Sequence, residues 1–236
     1  MNLSHAQHTL LLEGLAQIGL EPASESLAAL EMHLALVQKW RSKMNLISIA
    51  EERELISHHA LDSLVIAPWL HQARQVLDFG TGAGFPGMQL AAVFPDVHFT
   101  LLDSRQRRME FLRMVAVQAG IENISLATAR VEQYNGENQA RTRWDSAMQK
   151  QAKFDTLVVR AVATLTQLVA MTSHLRCKGQ RLLAMKGQAP QLELDALLGS
   201  YPDQIKSARI EPLGVPGLAA ERHLVIIEFT DPPVHE

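Results

Sequence analysis

Two periodicities divide the chain near residue 70. Before it, apolar residues recur at helical spacing: Leu3, Leu10, Leu11 and Leu15 form one stripe, and Leu27, Leu30, Leu34 and Val37 another. Both predict helices. Ser24, after Pro22-Ala23, is a candidate N-cap. Lys39, Arg41 and Lys43 suit a helix C-terminus. A third helix is predicted over 51–64, stopped by Pro68. From Gln75 onward the pattern changes to short apolar runs alternating with helical ones. Strands are predicted over 75–79, 98–103, 124–128, 154–160, 180–185, 207–211 and 223–229. Helices are predicted over 86–93, 104–119, 164–175 and 190–198. Such alternation implies an α/β fold with a mostly parallel sheet covered on both faces. The last two strands have no helix between them and are expected to pair antiparallel. The expected organisation is a helical extension over 1–70 and an α/β domain over 71–236. The polar stretch 133–153, with Arg141, Arg143, Lys150 and Lys153, interrupts the alternation and reads as a long loop.

The first strand ends in a glycine cluster, VLDFGTGAGFPG over 76–87. Glycine lets a backbone turn sharply and approach a ligand where a Cβ would block it. Pro86 suits the first turn of the following helix. Strand, glycine turn and helix N-terminus form a site for a nucleotide-like ligand. Gly82-x-Gly84-x-x-Gly87 fits the dinucleotide fingerprint, which alone is weak. Overlapping it, Asp78-x-Gly80-x-Gly82-x-Gly84 looks like motif I of S-adenosylmethionine-dependent methyltransferases, where a carboxylate attracts the methionine ammonium. Asp103 closes the second strand, where an acid that grips ribose hydroxyls is expected. The rivals are an NAD(P)-dependent oxidoreductase and a non-catalytic RNA-binding protein.

Composition narrows this. The chain has 236 residues, 47% hydrophobic and 20% charged, with a formal net charge of −3, which describes a globular protein and argues against a general nucleic-acid binder. Cys177 is the single cysteine, so no intrachain disulfide can form, in keeping with a reducing compartment. Neither a secretory pattern nor an apolar stretch of membrane-spanning length is present. The expected location is the cytoplasm, with no membrane partner. His58 and His59 are adjacent and read as helix-face residues pointing apart. Trp40 reads as core. No zinc set, nor any other metal site, is expected.

Ligands bind an open parallel sheet beyond the carboxyl ends of its strands. The residues after those ends include Gly80 and Phe85, then Asp103, then Arg130, Val131 and Glu132, then Arg160, then Lys186. A reversed last strand adds Arg222 and His223. Cations thus gather on one rim of an acidic protein. Arg107 and Arg113 read as solvated charges.

Here the sequence resembles the small-subunit ribosomal RNA guanine-N7 methyltransferase family, also called glucose-inhibited division protein B. The matching stretches are Lys39-Trp40, Asn45-Leu46, HALDSL over 59–64, the glycine segment 76–87, Leu101-Leu102-Asp103-Ser104, Arg160-Ala161-Val162-Ala163, LAMKG over 183–187 and Glu221-Arg222-His223-Leu224. The resemblance implies a Rossmann-like class I methyltransferase: a seven-stranded, mostly parallel sheet with an antiparallel last strand, and an N-terminal helical extension. It implies S-adenosyl-L-methionine as cofactor and 16S ribosomal RNA, alone or in the small subunit, as partner of a monomeric enzyme. By the same resemblance Gly80 and Phe85 line the cofactor, with Asp78 and Gly82 in its loop. Asp103 holds the ribose, Val131 and Glu132 flank the adenine, and Arg160 closes the site. The 133–153 segment is longer than the family leads one to expect.

Methyltransferases acting on exocyclic amines commonly carry Asn/Asp-Pro-Pro-aromatic after the fourth strand. This chain has Arg160-Ala161-Val162. Guanine N7 carries no proton, so no general base is needed, and Arg160 could not serve as one. Arg160 is the candidate catalytic residue, by positioning. Phe85 is a candidate stacking surface for cofactor or base. Arg130, Lys186 and Arg222 are expected to meet RNA phosphates.

Overall fold

A computed structural model describes residues 2–135, 139–140, 153–160, 162–188 and 190–231. The stretches 136–138 and 141–152, which hold most of the polar interruption with Arg141, Arg143 and Lys150, lie outside the described residues.

The chain opens with α1 (His5–Gln17), started by a reciprocal cap in which Gln7 N donates to Ser4 Oγ. α2 (Ser24–Met44) starts one residue earlier than expected: Ala23 holds the cap position without a side-chain bond, and Ser24 is already helical. Its hydroxyl donates to Glu25 instead. α2 ends at Asn45, whose φ of 48° is the left-handed stop that Asn tolerates. The helix predicted over 51–64 is composite. α3 (Glu52–Glu54) runs into a π-helical segment, Leu55–Leu61, and then α4 (Asp62–Leu64). A 3-10 turn at Ala67–Leu70 carries Pro68 and ends the helical region.

The strands follow: β1 (Gln75–Phe79), β2 (His98–Asp103), β3 (Ile124–Thr128), β4 (Gln139–Ala140), β5 (Thr156–Arg160), β6 (Arg181–Lys186), β7 (Ile205–Leu213) and β8 (Arg222–Phe229). Between them lie α5 (Gly87–Val93), α6 (Gln106–Ala119), α7 (Leu165–Met171) and α8 (Gln191–Ser200). The sheet order is β4-β3-β2-β1-β5-β6-β8-β7. β3, β2, β1, β5 and β6 run parallel, and β8 is antiparallel to both β6 and β7. This is the expected seven-stranded arrangement, extended at one edge by the two-residue β4, antiparallel to β3.

Alternate residues along each strand face opposite sides of a sheet. Val76, Val158, Leu183 and Ile226 therefore join one core, with α5, α6 and the N-terminal helices through Leu11, Leu30, Leu34 and Leu61. Leu77, Leu157, Leu182 and Ile227 join the other, beneath Leu165, Leu168 and Leu197 of α7 and α8. The N-terminal helices thus complete one covering layer of the sheet. His33 on α2 is fully buried there and bridges two elements. Its Nε2 pairs with the Ala83 carbonyl at 2.7 Å and its Nδ1 with the Gln89 amide at 2.6 Å. Burial holds this imidazole down at about 4, against the pull of the Ala83 carbonyl, so it is neutral. The glycine loop is braced from outside by a helix nearly fifty residues upstream.

Candidate functional site

β1 hands the chain to the glycine loop at the carboxyl edge of the sheet. Gly80 N donates to the Leu102 carbonyl at 2.7 Å, pinning the turn to β2. Three of the loop's glycines are dictated by space: a Cβ on Gly84, whose φ is +96°, would come within 2.8 Å of the Met88 Cβ. A Cβ on Gly80, whose φ is +74°, would come within 2.7 Å of Val162. One on Gly87 would come within 2.4 Å of Asp78 Oδ2, the atom that accepts the Gly87 N–H at 2.8 Å. Pro86 precedes that N–H at the cap position rather than inside the helix.

Asp78 lies under the loop, 1% exposed. Burial pushes its carboxyl up to about 6, with the Thr81 hydroxyl, the Gly87 N–H and the Arg160 charge opposing. Its Oδ1 and the Thr81 Oγ1 are both buried without a hydrogen bond of normal geometry. A buried carboxylate with an unused oxygen fits a cationic ligand group at this bend.

Asp103 stands opposite. Its Oδ2 accepts from Gly82 N and Arg108 Nη1, both at 3.0 Å, and its Oδ1 from Arg105 N at 2.9 Å. A carboxylate has about four acceptor sites, which leaves one on Oδ1 for a ligand hydroxyl. Arg108, not singled out from sequence, is the side chain that orients this acid. Its signal is its place one helical turn beyond Asp103, at the start of α6.

Asp103, Gly80, Arg130, Val131, Glu132 and Arg160 line one cleft of about 490 Å³. Asp78 and Gly82 support its floor rather than its wall. Phe85 is not on its wall either. It is 3% exposed, with the rings of His33 and His59 at 5.0 and 5.2 Å and the Arg160 guanidinium at 5.4 Å. It is a pillar under Arg160 and offers no open face to a base. A larger cavity, of about 530 Å³, lies around Arg181 and Lys206 and shares no residue with the glycine loop.

Arg160 ends β5 with its side chain 19% exposed. Its Nη1 donates to Asp62 Oδ2 at 3.0 Å and to the His58 carbonyl at 3.3 Å, and Nη2 lies 3.4 Å from His59 Nδ1. Burial, then the Arg160 charge, hold His59 down at about 4. Asp62 also accepts from Arg222 Nε at 2.9 Å. His58 and His59 both line the pocket beside Arg160, which corrects the reading of them as helix-face residues pointing apart. The wider π turn carrying them was not legible from apolar spacing. Such turns are frequent at functional sites.

Of the cations expected to meet phosphates, Arg130 is exposed and makes no ion pair among the described residues. Lys186 Nζ is held by the Ala163 carbonyl at 2.6 Å and Glu193 at 2.8 Å. Arg222 is held by Asp62. Arg107 and Arg113 are exposed, as expected. Trp40 packs on the core edge with Lys39 and Lys43 over its ring at 5.9 and 5.4 Å.

The model of the GidB family, described as rRNA small subunit methyltransferase G, matches residues 26–225. The chain belongs to this family. A relative called ribosomal RNA small subunit methyltransferase G from Chromobacterium violaceum is 38% identical over 215 residues, covering 91% of this chain and 94% of its own. The protein of the same name from Salmonella agona is 38% identical over 214 residues, with the same coverage. Among solved structures the methyltransferase domain of METTL16 superposes with a TM-score of 0.56 at 13% identity, over 85% of this chain and 80% of that one. The cofactor-bound Rv0187 from MTB gives 0.55 at 15%, over 85% and 90%. These structures share the class I methyltransferase fold. GidB-family membership makes the protein an S-adenosyl-L-methionine-dependent rRNA methyltransferase. The residues present fit that cofactor: the unused Asp78 oxygen suits its ammonium, the free site on Asp103 a ribose hydroxyl, and Arg160 or Arg130 its carboxylate. Among the described residues no helix is long and apolar enough to cross a membrane, and no group of three His, Cys, Asp or Glu could hold a metal.

Proposed function

We propose that the protein methylates N7 of one specific guanine in 16S ribosomal RNA by direct displacement, without a general base. The observation that supports this reading is the state of the groups around Arg160. Asp62 is committed to two arginines, and His59 is held at about 4, too weak a base to take a proton near neutrality. Neither of these two groups against Arg160 serves an acceptor that must first lose a proton, whereas N7 offers a bare lone pair. Bound S-adenosyl-L-methionine supplies an electrophilic methyl group. That methyl group would pass to the N7 lone pair, with the cofactor's sulfur as the leaving group.

The chain's own residues supply position. Asp103 would hold the ribose of the cofactor, Asp78 beneath the loop would attract its ammonium, and Val131 and Glu132 would flank its base. Gly80 lets it lie against the loop. Alignment of this kind can lower a barrier by roughly 7–11 kcal/mol. Arg160 orients the guanine through O6 and leaves the N7 lone pair free. Arg130 supplies phosphate contact, with Lys186 and Arg222 adding what charge their partners leave. In this reading residues 1–70 are a bracing extension to a methyltransferase domain over 71–236, working as a metal-free monomer in the cytoplasm.

The test is incubation with labelled S-adenosyl-L-methionine and either 16S rRNA or small subunits, followed by mapping of the label. It is expected at N7 of one guanine. Label on another atom, or none on either substrate, overturns the proposal.

A further inference from the structure

Arg160 walls two cavities. One is the cleft with Asp103 and Gly80. The other, of about 350 Å³, lies beyond it, among His58, His59, Met185, Leu213 and Arg222. That volume is in the range of small-molecule sites, roughly 300–1,000 Å³. The geometry points to this second pocket as the acceptor subsite, which takes a purine extruded from RNA with its O6/N7 edge toward Arg160. Asp62 is the positioning residue that sets the edge-reading guanidinium. The inference rests on the methyl-transfer reading above and assigns where the base goes.

Asp62 is 4% exposed on its side chain and grips Arg160 at 3.0 Å and Arg222 at 2.9 Å. One carboxylate thus ties together residues 98 and 160 positions away. A guanidinium has five N–H donors. Asp62, the His58 carbonyl and His59 engage three of those on Arg160, so two find no acceptor among the described residues. Arg222 spends one on Asp62 and one on the Glu221 carbonyl, so three are left. The Arg160 guanidinium lies over the Phe85 ring, 5.4 Å from its centroid. The pocket is therefore rich in oriented donors and has Met185 and Leu213 as apolar wall.

Guanine presents two acceptors, N7 and O6, on the edge where adenine presents N7 and an amino donor. An Arg160 N–H on O6 selects guanine and leaves N7 unblocked. Adenine would set donor against donor. RNA readers commonly take such splayed bases. Arg222, at the same carboxylate, is placed to meet the flanking phosphate.

The experiment uses the full chain and the RNA carrying guanine, inosine or 2-aminopurine at the mapped position. Inosine keeps O6 and N7, while 2-aminopurine keeps N7 and lacks O6. Wild-type protein is expected to methylate the inosine RNA nearly as well as the guanine RNA, and the 2-aminopurine RNA about tenfold to a hundredfold less well. Asp62→Asn is expected to lower kcat on guanine RNA and to flatten the guanine:2-aminopurine ratio, with cofactor affinity close to wild type. A merely structural role would slow both RNAs equally. Leu213→Trp fills the pocket without touching the ion pairs, and is expected to abolish transfer while cofactor binding persists. Equal wild-type rates on guanine and 2-aminopurine, an unchanged ratio in folded Asp62→Asn, or normal transfer by Leu213→Trp overturns the assignment. Wild type that fails to methylate guanine RNA at all overturns the methyl-transfer reading instead.

Discussion

The cleft on one side of Arg160 and the pocket on the other are assembled from very different lengths of chain. Apart from Arg160, the cleft's Gly80, Asp103, Arg130 and Glu132 come from successive strand ends within about fifty residues. The pocket draws on the π segment at 55–61, the ends of β6 and β7 and the start of β8. Its keystone, Asp62, meets an arginine 160 positions later. A site made inside consecutive βαβ units obeys local rules of turn and strand end, so its residues keep a fixed spacing. A site made where a helix meets a reversed strand has no spacing to keep.

The comparison can be broken most directly at the shared wall. Arg160→Ala is expected to cut methyl transfer about a hundredfold or more, the scale of a mispositioned reactant. Cofactor affinity should fall far less, and a radiolabel transfer assay beside calorimetric binding separates the two. If both fall together, Arg160 belongs to the cleft alone. Asp103→Asn is the converse. It should weaken cofactor binding by about tenfold, the scale of a hydrogen bond to a charged group, with little effect on RNA binding.

Two pH responses sharpen the contrast between the loop's brace and its floor. His33, held at about 4 against an ordinary 6.5, binds fewer protons folded than unfolded in that interval. Stability is therefore lost as pH falls from 6.5 towards 4, by about 3 kcal/mol at most. His33→Gln should flatten that limb of a melting-temperature profile. Asp78 works in the opposite sense. Its carboxyl is raised from 3.8 to about 6, so the folded state holds the proton more tightly and stability falls as pH rises from about 4 to 6. Asp78→Asn should remove a cost on the order of 2–3 kcal/mol at neutral pH while weakening cofactor binding. A variant that loses both stability and affinity would mean that the charge is structural. The smallest effect is expected at the rim: Arg130→Ala should lower the slope of log affinity for RNA against log salt by about one.

The pattern of runs predicted β1, β2 and β3 to the residue, because buried parallel strands are short and apolar, and the first two are closed by a glycine and a carboxylate. β7 is longer than predicted, Ile205–Leu213, because its outer, half-exposed residues break the apolar pattern without breaking the ladder. The loop acid Asp78, the glycines and Asp103 were legible because each answers a local demand of the turn. Phe85 is legible as a loop residue, but its ring's neighbours, His33, His59 and Arg160, are a matter of packing that no spacing encodes.

By itself, then, the order of apolar and polar residues determined the α/β sheet, its reversed strand and the cofactor loop, all consequences of hydrogen bonds and sterics over a few residues. Tertiary structure alone decided that Lys186 is neutralised by Glu193, that α2 braces the loop through His33, and that Asp62 joins Arg160 to Arg222. Each depends on what lies nearby in space, where burial multiplies the strength of a charge or an imidazole, and no local periodicity encodes that proximity.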